Sequence, residues 1–152
     1  MSWETILRAK RQVGACMVMR DNKVLLLRRS DEEDTMQGLW EFPGGKVEGN
    51  ETPKSTAKIE TEEEAGLNVK LVKYLGANKT VDSKGINKEY HVYLGEVDED
   101  AKVTISTSPS GVKEHDKYAW FTIDEALEQD PLSRDAKVML EKMKGFLDSH
   151  DE

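Results

Sequence analysis

The sequence predicts an α/β fold with a mixed β-sheet sandwiched between helices, and three observations carry that expectation. Short apolar or alternating runs recur at 13–19, 24–27, 67–75 and 90–97, the lengths and patterns of strands. Two longer stretches read as helices, one inside the chain from Pro53 and one near its end from Asp130. The chain of 152 residues predicts a single domain spanning 1–152, able to bury about two-thirds of its unfolded surface around one core.

Composition narrows the class. The chain is 37% hydrophobic and 34% charged with no low-complexity tract, which argues for a folded and not a disordered protein. No run approaches the ~18 apolar residues of a membrane span, and 1–11 lacks the apolar core of a signal peptide, so a cytoplasmic location is expected. A formal net charge of −8 disfavours a nucleic-acid polymer but allows a single nucleotide whose phosphates are offset by a metal and local cations. The one cysteine, Cys16, lies mid-strand and reads as a buried, inert thiol.

Taken in order, residues 1–11 are weakly patterned, whereas Val13 to Met19 is apolar on both faces and suits a central strand. Arg20 to Lys23 is a short turn into a second buried strand, Val24 to Leu27, and a hairpin is expected. Arg28 and Arg29 follow, readable either as a solvated strand end or as a phosphate-binding pair. Ser30 to Gln37 reads as a mobile loop, and Trp40 and Phe42, alternating with Glu41, read as core aromatics. Thr52 as N-cap, Pro53 at the first helical position and Gly66 at the close delimit the internal helix. After it come a strand from Leu67 to Leu75, a loop from Gly76 to Gly85, and a strand from Tyr90 to Val97 with Tyr90, Val92 and Leu94 on one face and His91 and Tyr93 on the other. His91 is expected to be a satisfied residue without a ligand role. Val103 and Ile105 mark a short strand, Thr107 to Asp116 a flexible loop before Tyr118 to Phe121, and Thr122 caps a short helical turn over 124–127. Asp130-Pro131 starts the last helix, whose stripe of Leu132, Ala136, Met139, Leu140, Met143 and Phe146 faces the core.

The chemistry concentrates in the internal helix. At about 100° per residue, Glu60, Glu63 and Glu64 share one face of it. Like charges at this spacing repel one another and the helix C-terminal dipole, penalties that a bound cation removes. Carboxylate oxygens suit Mg²⁺ or Mn²⁺, not a soft metal.

With Gly45, Glu51, Glu60, Glu63, Glu64, Gly66 and Leu67, the stretch 45–67 resembles the signature box of the Nudix hydrolases, Gly-x5-Glu-x7-Arg-Glu-apolar-x-Glu-Glu-x-Gly-apolar. The resemblance implies an α/β/α sandwich and a Mg²⁺-dependent hydrolase, with Mn²⁺ as a substitute. Its metal ligands would be the Gly45 carbonyl, Glu60, Glu63 and Glu64, and Glu114 would be a further ligand or base. Gly38 to Pro43 is similar to the MutT-type branch, which implies a nucleoside triphosphate, oxidised purines included, cleaved to the monophosphate and pyrophosphate. That branch reads the base from near the start of the last helix, where Ser133, Arg134 and Asp135 stand. The ADP-ribose branch carries a proline and the dinucleoside polyphosphate branch a tyrosine near 80–85, and both are missing here. Two positions depart from the box: Ile59 replaces its Arg and Thr61 its aliphatic residue. In the family that Arg and Glu51 support the catalytic face as a pair, so Ile59 predicts a loosened loop. It keeps open an alternative, a nucleotide-binding protein of the same fold that turns over weakly, and the box itself leaves open a hydrolase of another nucleoside diphosphate-linked substrate such as ADP-ribose. The expected partner is a small-molecule nucleotide, with no polymer or membrane, bound by a monomer or homodimer.

Overall fold

The computed structural model describes residues 11–31, 36–81, 84–105 and 114–149. Its sheet has seven strands: β1 (Arg11–Arg20), β2 (Lys23–Arg29), β3 (Trp40–Glu41), β4 (Gly44–Lys46), β5 (Lys70–Val81), β6 (Asn87–Glu96) and β7 (His115–Phe121). Among the described residues three helices accompany it: α1 (Pro53–Ala65), α2 (Ile123–Leu127) and α3 (Arg134–Ser149). The strand order is β3-β2-β1-β6-β5, with β4 also on β1 and β7 also on β2. β1 and β6 run parallel and the other pairs antiparallel, so the sheet is mixed.

The double-sided apolar pattern of β1 is explained by two cores. Ala15 and Met17 face the layer of α3 and α2 with Met139 and Leu140, while Cys16 and Val18 face that of α1 with Ala57 and Ala65. Each large apolar side chain so buried contributes roughly 1.5–3 kcal/mol. Burial pushes the Cys16 thiol up to about 12, so it stays protonated and unreactive. The β1–β2 hairpin turns through Asp21 (φ 54°) and Asn22 (φ 63°), the left-handed pair whose twist matches the flanking strands.

Helix α1 begins in a capping box: Thr52 Oγ1 accepts from the Ser55 N–H at 3.1 Å and Ser55 Oγ from the Thr52 N–H at 2.9 Å. It closes at Gly66, whose N–H returns to the Glu62 carbonyl. Thr61 is buried where an aliphatic residue was expected. Its hydroxyl donates to the Ala57 carbonyl at 2.7 Å, so no polar group is left without a partner.

Several local expectations give way to longer-range pairing. Strand β5 starts only at Lys70 and continues through the expected loop to Val81, because Gly76 to Val81 pair with Asn87 to Val92. Irregularities at 71–73 and 74–76 absorb Gly76 at φ 116°. Val103 is buried, but the Thr104 N–H donates to the Ala65 carbonyl at 2.8 Å, so 101–105 closes the helix end and is not a strand. His115 and Asp116, expected in a loop, belong to β7, while 106–113 lie outside the described residues, as do 1–10 and, within the expected 30–37 loop, 32–35. The last helix starts at Arg134, not at Asp130. The Trp40 N–H donates to the Pro131 carbonyl and the Ser133 N–H to the Trp40 carbonyl, which holds 131–133 extended beside β3. On α3 Ala136, Met139 and Leu140 are buried as expected, but Phe146 is exposed. No helix among the described residues is long and apolar enough to cross a membrane.

Candidate functional site

The loop from β4 to α1 and the start of β7 converge on one acidic face. A Cβ on Gly45 would lie 2.7 Å from Glu60 Cδ, so the Glu60 carboxylate rests against the β4 backbone. Along α1, Glu63 is exposed, Glu60 half-buried and Glu64 buried, with the Gly44 N–H donating to Glu64 Oε1 at 2.9 Å. Glu114 immediately precedes β7, its carbonyl bonded by the Ser30 N–H at 2.9 Å. Ligand atoms of Glu64, Glu114 and His115 lie within 4.8 Å of one another.

This crowding has an electrostatic signature. Burial, then Glu63, Glu114, Glu51 and Glu48, push the Glu60 carboxyl up to about 7. Burial and Glu114 hold Glu64 well above the ordinary carboxylate range, against the Gly44 N–H, which favours the charged form. Oxygen donors destabilised as bare anions fit a hard divalent cation, which would relieve both the repulsion and the desolvation.

Two neighbours escaped the sequence reading. Buried His115 donates through Nε2 to Glu41 Oε2 at 2.9 Å, and Arg29 Nη1 reaches the same oxygen at 3.4 Å. The signal for Glu41 was present: Trp40 and Phe42 belong to the α3 layer, so the residue between them turns the other way. His115 carried none beyond adjacency to Glu114.

Arg29 and Glu41 also line a cleft of about 370 Å³, together with Tyr90, Lys88, Ser133, Arg134 and Asp135. At its far side Asp135 is nearly buried, with Oδ1 accepting from Asn78 Nδ2 and Oδ2 from Lys88 Nζ, each at 2.7 Å. Arg28 is engaged elsewhere, 2.6 Å from Asp116 and 3.9 Å from Asp31. Glu51 accepts from Thr56 Oγ1, and Ile59 is 37% exposed, outside the core. His91 bonds to Tyr74 through Nδ1, but its buried Nε2 has no hydrogen-bond partner among the described residues and lies 3.5 Å from Glu89 Oε1, so the expected satisfied residue is satisfied only in part. A larger cavity of about 540 Å³, between the α3 end and β5, shares no residue with the carboxylate cluster.

Residues 10–143 match the NUDIX domain family. The CTP pyrophosphohydrolase of Escherichia coli K12 is 32% identical over 117 residues, covering 77% of this chain and 79% of that protein. The 8-oxo-dGTP diphosphatase of Proteus vulgaris is 34% identical over 62 residues, covering 41% and 55%. Among solved structures, that of the E. coli ORF135 protein superposes with a TM-score of 0.74 at 27% identity, covering 92% of each chain. The MutT protein of Methanosarcina mazei superposes at 0.76 with 24% identity, covering 90% and 94% and sharing the fold.

Proposed function

Because this chain belongs to the NUDIX domain family, whose hydrolases act on nucleoside diphosphate derivatives, we propose that its substrate is a nucleoside triphosphate, cleaved to the monophosphate and pyrophosphate. The observation that carries this reading is the continuity of the acidic cluster, through His115 and Glu41, with a cleft that ends on paired Lys88 and Asp135. Phosphates would lie towards the cluster and the base towards the pair.

Glu60, Glu63, Glu64 and the Gly45 carbonyl, with Glu114, would hold Mg²⁺ or Mn²⁺. When bound, the cation supplies positive charge against the phosphates and acidifies water for attack. The remaining work falls to side chains. Arg29 lines the cleft and offers a planar fork to a phosphate, held in place by Glu41, which His115 orients in turn. Arg28, committed to Asp116, is the lesser contributor. A carboxylate beside an ammonium suits the adjacent donor and acceptor that a base edge presents. The names of the relatives above, for CTP and for 8-oxo-dGTP, support cytosine or oxidised guanine as that base.

The test is hydrolysis of CTP, dCTP, dGTP, 8-oxo-dGTP, ATP and ADP-ribose with and without Mg²⁺, products resolved by chromatography. Mg²⁺-dependent release of pyrophosphate from one of the triphosphates supports the reading, whereas cleavage of ADP-ribose alone overturns it. The second reading, a nucleotide binder of weak turnover, rests on exposed Ile59, which offers Glu51 no donor. Tight binding without products would favour it.

A further inference from the structure

Glu51, in the loop between β4 and α1, is held from two sides. Thr56 Oγ1 donates to Glu51 Oε1 at 2.8 Å, and the Glu48 N–H approaches the same oxygen at 3.4 Å. The Glu51 N–H returns to the Glu48 carbonyl at 3.0 Å and closes the turn. Thr56 is fully buried in the first turns of α1. A helical threonine commonly turns its hydroxyl back to the carbonyl four residues earlier, as Thr61 does to Ala57. Thr56 instead gives its single proton to the loop.

We propose that Thr56 is a positioning residue whose hydroxyl ties this loop to α1 and so tightens the connection between β4, whose Gly45 is held by pairing with β1, and the helix that carries Glu60. The inference rests on the reading of the acidic face as a hydrolytic site. Slack in that connection would loosen the start of α1 against β4. The Gly45 backbone and Glu60 are already so close that a Cβ would meet Glu60 Cδ at 2.7 Å. Ile59, exposed and without a donor, leaves the tie to Thr56. The departure from the box at 59 thus does not leave Glu51 loose.

The test compares Thr56→Val, which keeps the shape and removes the donor, with Thr56→Ser, which keeps the donor, and with Thr56→Val/Ile59→Arg. Glu51→Leu removes the acceptor and breaks the tie from the loop side should Thr56→Val fold poorly, and wild-type exchange in it would likewise overturn the proposal. Two quantities are read: amide hydrogen exchange over 46–52 in the metal-free protein, and kcat and KM for the best triphosphate with Mg²⁺. Thr56→Val is expected to speed exchange about tenfold and to lower kcat about tenfold with KM within about twofold. Thr56→Ser should match the wild type, and the arginine of the double variant should restore slow exchange and kcat by reaching Glu51. Wild-type exchange and kcat in Thr56→Val, or a loss in Thr56→Ser equal to that in Thr56→Val, would overturn the proposal. Exchange is read without metal or substrate, so a chain that hydrolyses nothing would defeat the functional reading while the tie is still decided.

Discussion

On the acidic side Glu60, Glu64 and Glu114 repel one another, and among the described residues the charges that raise Glu60 are further acids. At the other side Asp135, no less buried, has one oxygen on Asn78 and the other on Lys88. The difference teaches what each place awaits. Acids left in mutual repulsion gain most from a cation, whereas an acid already matched by a cation gains little from one and can present a mixed donor and acceptor edge to a neutral base.

The sharpest way to break this contrast is Glu64→Gln. If the crowded side is where the cation works, the substitution should lower Mg²⁺-dependent kcat by about a thousandfold, equivalent to several kcal/mol. The Mg²⁺-induced rise in Tm should shrink with it, and an unchanged rise would move the metal elsewhere. On the satisfied side, Asp135→Asn should leave the Tm response to Mg²⁺ intact but reorder the substrates. We expect kcat/KM for the preferred base to fall about 10–100-fold against a base it now rejects, and a uniform fall across the panel would remove Asp135 from base reading. Between the two sides, Arg29→Ala should raise KM more than about tenfold, or about 1.4 kcal/mol, and Arg28→Ala should raise it less, since Asp116 already engages that guanidinium. Equal effects would erase the distinction between the arginines.

The smallest effect concerns pH. Glu60 titrates at about 7 in the fold against an ordinary 4.5, so between those values the folded protein holds a proton that the unfolded chain has released. Stability of the metal-free protein should therefore fall as pH rises through that window, with Glu64 acting in the same direction. Glu60→Gln should flatten the slope, as followed by urea denaturation at stepped pH.

What could be read from the sequence was what short range determines. Thr52, Pro53 and Gly66 delimit α1 because capping involves only neighbouring backbone groups, and Asp21-Asn22 turns the hairpin for the same reason. The residues of the box were legible because their spacing is itself the signal. The β5 extension through Gly76 to Val81, the delayed start of α3 and the capping by Thr104 were not, since each depends on a partner far along the chain: Asn87 to Val92, Trp40 and Ala65. Glu41 and His115 escaped for the same reason, being separated by 74 positions and joined only in the fold. Thr56 is the most instructive omission. Its hydroxyl compensates for an apparent defect five residues from Glu51 and not at the position where the pattern breaks.

The outer edge of the sheet has one more consequence. Among the described residues β5, a twelve-residue strand, has a strand neighbour on one side only, and Val72 and Val81 on it are exposed. An edge of that length and character could pair with a strand of any other chain and seed aggregates. Its two irregularities break the regular ladder, Gly76 bends it, and exposed Lys70, Lys73 and Lys79 place like charges along it. The feature that defeated the sequence reading of this segment as strand followed by loop therefore also acts as a guard, allowing the fold to keep a long open edge without offering a straight template.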